Sequence, residues 1–162
     1  MNPGSSETDT TGAGPSNGFI YNDELMESLA AIILLGSKPS AKSIETLPHL
    51  KKMLYDYDIY MLSFLSDEDI EELVKTIKEN GVNGTTVTDK KLKEKITAIR
   101  DNARVFVNIA SAYNSVRAYI DKVCAGGDSG IEVLEETFTG TGSEYKLKLV
   151  GAAACKKFLK QL

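Results

Sequence analysis

From Leu92 to Phe106 the apolar residues recur every three or four positions, as Leu92, Ile96, Ile99, Ala103 and Phe106. That spacing puts them on one stripe of an α-helix, and such a stripe must be buried against other elements. The pattern runs on through Tyr113, Val116, Tyr119 and Ile120. A segment this long exceeds an ordinary globular helix, so a break is expected between Ser111 and Asn114. Thr88 or Asp89 supplies its start.

The same period organises most of the chain. Leu25, Leu29, Ile32 and Ile33 define a first helix, with Asn22 or Asp23 expected as its cap and Gly36 as its stop. Ile44, Leu47, Leu50, Met53, Leu54 and Tyr57 form a second stretch. Pro48 either kinks it or marks a helix start behind Thr46. Ser66 followed by Asp67, Glu68 and Asp69 is a helix N-terminus, with Ile70, Leu73, Val74 and Ile77 as its buried stripe and Asn80-Gly81 as its end. Residues 131–139 fit either a strand or an amphipathic helix, and Tyr145 to Val150 alternate like a short strand. Gly151 then opens a final helical run carrying Ala154, Phe158 and Leu162. The expected fold is therefore all-α or nearly so, as one domain over residues 19–162.

Residues 1–18 are rich in Gly, Ser, Thr and Pro and are expected to be a disordered tail, because so little apolar surface cannot offset the entropy of ordering. The longest apolar run, Leu29 to Leu35, is too short to cross a bilayer, so no membrane partner is expected. Two cysteines, Cys124 and Cys155, make no disulfide framework, and no secretory leader is visible. A cytoplasmic or nuclear protein is the expectation.

Charge is unevenly spread. Residues 1–88 hold six basic and 14 acidic side chains, whereas residues 143–162 hold five basic and one acidic. The basic end surrounds a turn whose first helical N–H groups, at Gly151, Ala152 and Ala153, lack intrahelical partners and could bind an anion such as phosphate. Lys146, Lys148, Lys156 and Lys157 add a salt-sensitive attraction for DNA. Lysines in solvent around an ordinary corner read equally well. Nothing else carries chemistry: His49 stands alone, so no metal site is expected, and Gly126 to Gly130 lack the context of a phosphate loop. No cofactor signature is present.

The order of several short motifs resembles the bacterial DNA-3-methyladenine glycosylase I family of the helix-hairpin-helix glycosylase superfamily. Tyr57-Asp58 stands where that family has Phe-Asp, and Glu68-Asp69-Ile70-Glu71-Glu72-Leu73 follows in register. Lys95-Ile96-Thr97-Ala98 and Asn102-Ala103-Arg104-Val105-Phe106 match its Lys-Ile-x-Ala and Asn-Ala-x-x-Phe/Tyr patterns. Leu147-Lys148-Leu149-Val150-Gly151 resembles its hairpin, and Phe158-Leu159 the helix beyond. The resemblance covers residues 25–162. It implies a helical fold whose hairpin at Val150, Gly151 and Ala152 grips a phosphate of double-stranded DNA, with Lys146, Lys148 and Lys156 of the basic end beside it, and a family activity of flipping and excising an alkylated adenine.

The family's base-reading glutamate corresponds to Ile32 and its stacking tryptophan to Ser40, and the chain has no Trp. Its zinc-binding Cys and His residues have no counterpart. Three readings follow: a glycosylase with a remodelled pocket stacking through Tyr21 or Tyr57, a DNA-binding relative with a degenerate active site, and a non-enzymatic helical module that binds a protein partner.

Overall fold

A computed structural model describes residues 15–36, 38–80, 88–127 and 129–162, with the side chains of 15–21 outside the description. Among the described residues there are nine α-helices and no strand: α1 (Pro15–Leu35), α2 (Ala41–Glu45), α3 (Leu47–Met53), α4 (Ile59–Ser63), α5 (Asp67–Glu79), α6 (Asp89–Tyr113), α7 (Val116–Cys124), α8 (Ser129–Thr139) and α9 (Ala152–Leu159). The fold is all-α. No described helix is long and apolar enough to cross a membrane.

Helix α6 is the axis of the molecule. It packs against α1, α4, α5 and α7, while α8 lies on α7 and α9 lies on α8 and α1. The stripe that begins at Leu92 is buried through Ile96, Ile99, Ala103 and Phe106, as its period requires. Phe106, Phe138 and Phe158 lock α6, α8 and α9 together, with ring centroids 6.4 Å apart between Phe158 and each of the other two. Thr88 caps α6 by accepting from the Lys91 N–H, and Asn114, at a φ of 76°, ends it where a break was expected.

Local signals elsewhere hold equally. Ser66 and Asp69 form a reciprocal capping box on α5. Gly36 closes α1 at a φ of +73°, donating its N–H to the Ile32 carbonyl. Thr46 stands at the head of α3 with Pro48 in its first turn, so the second stretch is two short helices.

Four expectations need correction or completion. Asn22 and Asp23 do not cap α1, which begins at Pro15. Asn22 is instead buried within the helix and its side-chain carbonyl accepts the Val116 N–H at 2.8 Å, fastening α1 to the start of α7. Residues 145–150 are turns, because Leu147 and Val150 are drawn into the core while Lys146, Lys148 and Leu149 point outward. Residues 131–139 are helical within α8. The expected tail overlaps the first turn of α1 at 15–18, and residues 1–14 lie outside the described residues.

One backbone feature has no sequence precursor. Tyr55, Asp56 and Tyr57 all have φ near +60° (59°, 56° and 61°) and make one left-handed turn between α3 and α4. Each non-glycine residue held there costs roughly 1–2 kcal/mol. The turn is held by burial of Tyr57 in the core and by Asp58, whose carboxylate accepts the N–H groups of Tyr60 and Met61.

Candidate functional site

The loop between α8 and α9 is built from its anchors outward. The Leu147 N–H donates to the Phe138 carbonyl at 2.9 Å, and the Ser143 hydroxyl donates to the Thr137 carbonyl at 2.6 Å. Leu147 and Val150 fill the core on either side of Lys148-Leu149. The tip itself is held from α6: fully buried Asn102 accepts the Lys148 N–H at 2.6 Å and donates its amide to the Lys148 carbonyl at 3.1 Å. Two reciprocal bonds from one amide fix the peptide on both sides.

Beyond this tip, α9 starts without a side-chain cap. Gly151 is its N-cap, and Ala152 and Ala153 are exposed, so the first-turn N–H groups open toward solvent. Gly151 is not demanded by backbone conformation. Its φ is −88°, and a Cβ added there would meet no atom within 4 Å. Lys146 and Lys148 are exposed and make no ion pair among the described residues, whereas Lys156 lies 3.7 Å from Glu135. Exposed Lys146 and Lys148 thus lie in the loop that leads into this open helix end at Gly151 and Ala152. Lys156 joins them partly neutralised. Val150, included among the expected DNA contacts, is 6% exposed, so its side chain is an anchor and only its backbone reaches the site.

Leu149 stands out at this tip. It adopts φ +57° and is 54% exposed. A leucine in the left-handed region costs roughly 1–2 kcal/mol, and leaving half of it in water forgoes about 1 kcal/mol more. Between Leu149 and the exposed face of α6 runs an open groove of about 570 Å³, lined by both signs of charge: Lys90, Lys93 and Lys148 with Glu94 and Asp101, beside Thr97 and Ala98.

The positions that the motif resemblance would assign to a base pocket are different. Ile32 is packed into the core at 9% exposure, and Ser40 is spent on capping α2, its hydroxyl accepting the Ser43 N–H. Tyr57 is 2% exposed, so its ring has no face to offer a base, which corrects the stacking role expected for it. Burial and the charge of Glu27 push its hydroxyl far above the ordinary value, keeping it neutral. The Tyr21 side chain lies outside the described residues. Asn102 was legible only as part of a family-like motif. Its role depends on a partner 46 residues away, which periodicity does not encode.

Compared with known proteins, the chain matches no family model, no curated sequence and no solved structure.

Proposed function

We propose that the chain is a DNA-binding helical domain of the helix-hairpin-helix glycosylase type that seats a backbone phosphate on the open start of α9 without excising a base. The observation that carries this reading is the uncapped first turn of α9, presented beside the unpaired Lys146 and Lys148. Unpaired N–H groups, the positive helix end and two ammonium groups without an ion pair among the described residues share one preference, for an anion. Reading the site as DNA-specific draws on the motif resemblance. The absence of excision draws on Ile32 and Tyr57, which occupy the core where a pocket would need polar or aromatic surface.

Gly151→Asp is the direct test. Its side chain has space, and aspartate is a good N-cap, so α9 keeps its stability. The added carboxylate occupies the anion position. Duplex affinity is expected to fall at least tenfold with no loss of melting temperature, and unchanged affinity would sink the reading. Release of 3-methyladenine from alkylated DNA is expected to stay at background; measurable release would restore the glycosylase reading.

A second reading, a helical protein-interaction module, is favoured by Phe64 and Met61, which are 82% and 50% exposed at the end of α4. Under it, Phe64→Ser would abolish capture of a protein partner while the chain showed no affinity for DNA.

A further inference from the structure

Two features of the surface are left unmatched among the described residues. The first is an apolar knob at the α4–α5 corner. Phe64 is 82% exposed, and Met61, three residues earlier on the same face of α4, is 50% exposed. Apolar groups that stand bare side by side mark a contact surface. The second is the groove along α6, to which Thr97, Ala98 and Leu149 give apolar surface. It runs from Lys90 to Asp101, about 16 Å of helix, which is room for a whole aromatic side chain.

Charge distinguishes the two. In the groove the acids are already matched: Glu94 lies 3.8 Å from Lys91, and Asp101 receives Arg100 at 3.1 Å and Arg104 at 3.9 Å. Lys93 is matched by Glu71 at 3.0 Å. Lys90 and Lys148 have no ion-pair partner among the described residues, so the groove's surplus is basic. Beside the knob the surplus is acidic. Asp67 is taken by Arg100, but exposed Glu68 and Glu72 on α5 have no ion pair among the described residues. Knob and groove also share one side of the molecule. The two arginines that meet Asp101 in the groove donate to the Ser63 and Leu65 carbonyls on either side of Phe64. Those bonds pin the corner and leave Phe64 outside its own groove.

We propose that two copies of the chain pair about a two-fold axis on this side. Each seats Phe64 and Met61 in the other's α6 groove, with Glu68 facing the lysines that line it. A two-fold contact needs both complementary features within one surface patch of each copy, and knob and groove adjoin across the Asp101 ion pairs. An aromatic anchor in a pocket with opposite charges at its rim is the usual anatomy of such a contact. The pairing is independent of DNA binding except at Lys148, which both use, so a duplex and a second copy compete for that side chain.

Analytical ultracentrifugation of the full chain without nucleic acid, over a concentration series, reads the mass directly. The wild type is expected to pass from one chain to two with a midpoint on the order of 10 µM. Phe64→Ser removes the knob and Thr97→Arg fills the groove, both at positions outside the buried core. Each should raise the dissociation constant roughly thirtyfold with the far-ultraviolet circular dichroism unchanged. Glu68→Lys should weaken pairing about tenfold, as should Lys90→Glu combined with Lys148→Glu. An equimolar mixture of these two variants should recover wild-type association, because every contact in the mixed pair again joins opposite charges. A wild type that stays a single chain at about 1 mM overturns the pairing. So does association that survives both Phe64→Ser and Thr97→Arg, or a mixture that fails to recover. Species that grow beyond two chains overturn the two-fold arrangement in favour of an open head-to-tail contact. All of these outcomes leave the phosphate site to Gly151→Asp.

Discussion

Asp23 lies half-buried on α1, facing the start of α4. Burial and the Asp58 and Asp56 carboxylates push it from the ordinary 3.8 up to about 6, against the pull of a hydrogen bond from the Ile59 N–H. The folded chain therefore holds this proton more tightly than the unfolded one. The resulting stability is fully present below the unfolded value and is lost as pH rises through about 6. Asp23→Asn keeps an acceptor for Ile59 and removes the charge. Its unfolding free energy from urea titration is expected to gain on the wild type as pH climbs from 4 to 7, by about 1 kcal/mol once solvent screening is allowed for. A constant difference across that range would exclude the titration. The same stretch shows why single residues are hard to read from sequence. Asn22 and Asp23 have the side chains of a helix cap, yet one is a buried fastener to α7 and the other a strained acid against α4. A short polar side chain serves cap and buried network alike, and only the partner distinguishes them. Ser66 and Thr88 were legible because their partners lie three residues away.

At the scale of elements, the α8–α9 loop depends on α6 as much as on its own helices. Asn102→Ala removes both bonds to the Lys148 peptide and leaves its N–H and carbonyl without their partner. A loss of about 2 kcal/mol in unfolding free energy is expected, with faster amide exchange at Lys148. An unchanged exchange rate would mean that the amide is dispensable. Here the sequence is misleading in an instructive way. Residues 145–150 alternate apolar with lysine like a strand, but the alternation arises from anchors, Leu147 and Val150, on either side of a projecting tip. Helix positions fared better, since the stripes of α1, α5 and α6 are repeated local signals. The left-handed turn at 55–57 left no trace, because its residues are chosen by what Tyr57 packs against.

For the whole molecule, charge distribution was readable from sequence and its geometry was not. Twelve of the 14 acidic side chains of residues 1–88 lie between Asp23 and Glu79, from α1 to α5, while Lys146 and Lys148 in the α8–α9 loop make no ion pair among the described residues. DNA affinity is accordingly expected to depend steeply on salt. Lys146→Gln and Lys148→Gln should each lower the slope of log Kd against log salt by about 0.9, the release expected for one phosphate contact, while Lys42→Gln on α2 should not change it. Equal slopes in all three variants would place the contact elsewhere. Arg100, Asn102 and Arg104 also lie within little more than one turn of α6. The two arginines donate to the Ser63 and Leu65 carbonyls at the α4–α5 corner, and the asparagine holds Lys148 in the α8–α9 loop. The unit that could be moved to another scaffold is therefore discontinuous. A transplant of residues 129–159 would carry the loop but leave behind the side chain that shapes it, and an amide at the position of Asn102 would have to travel with the graft.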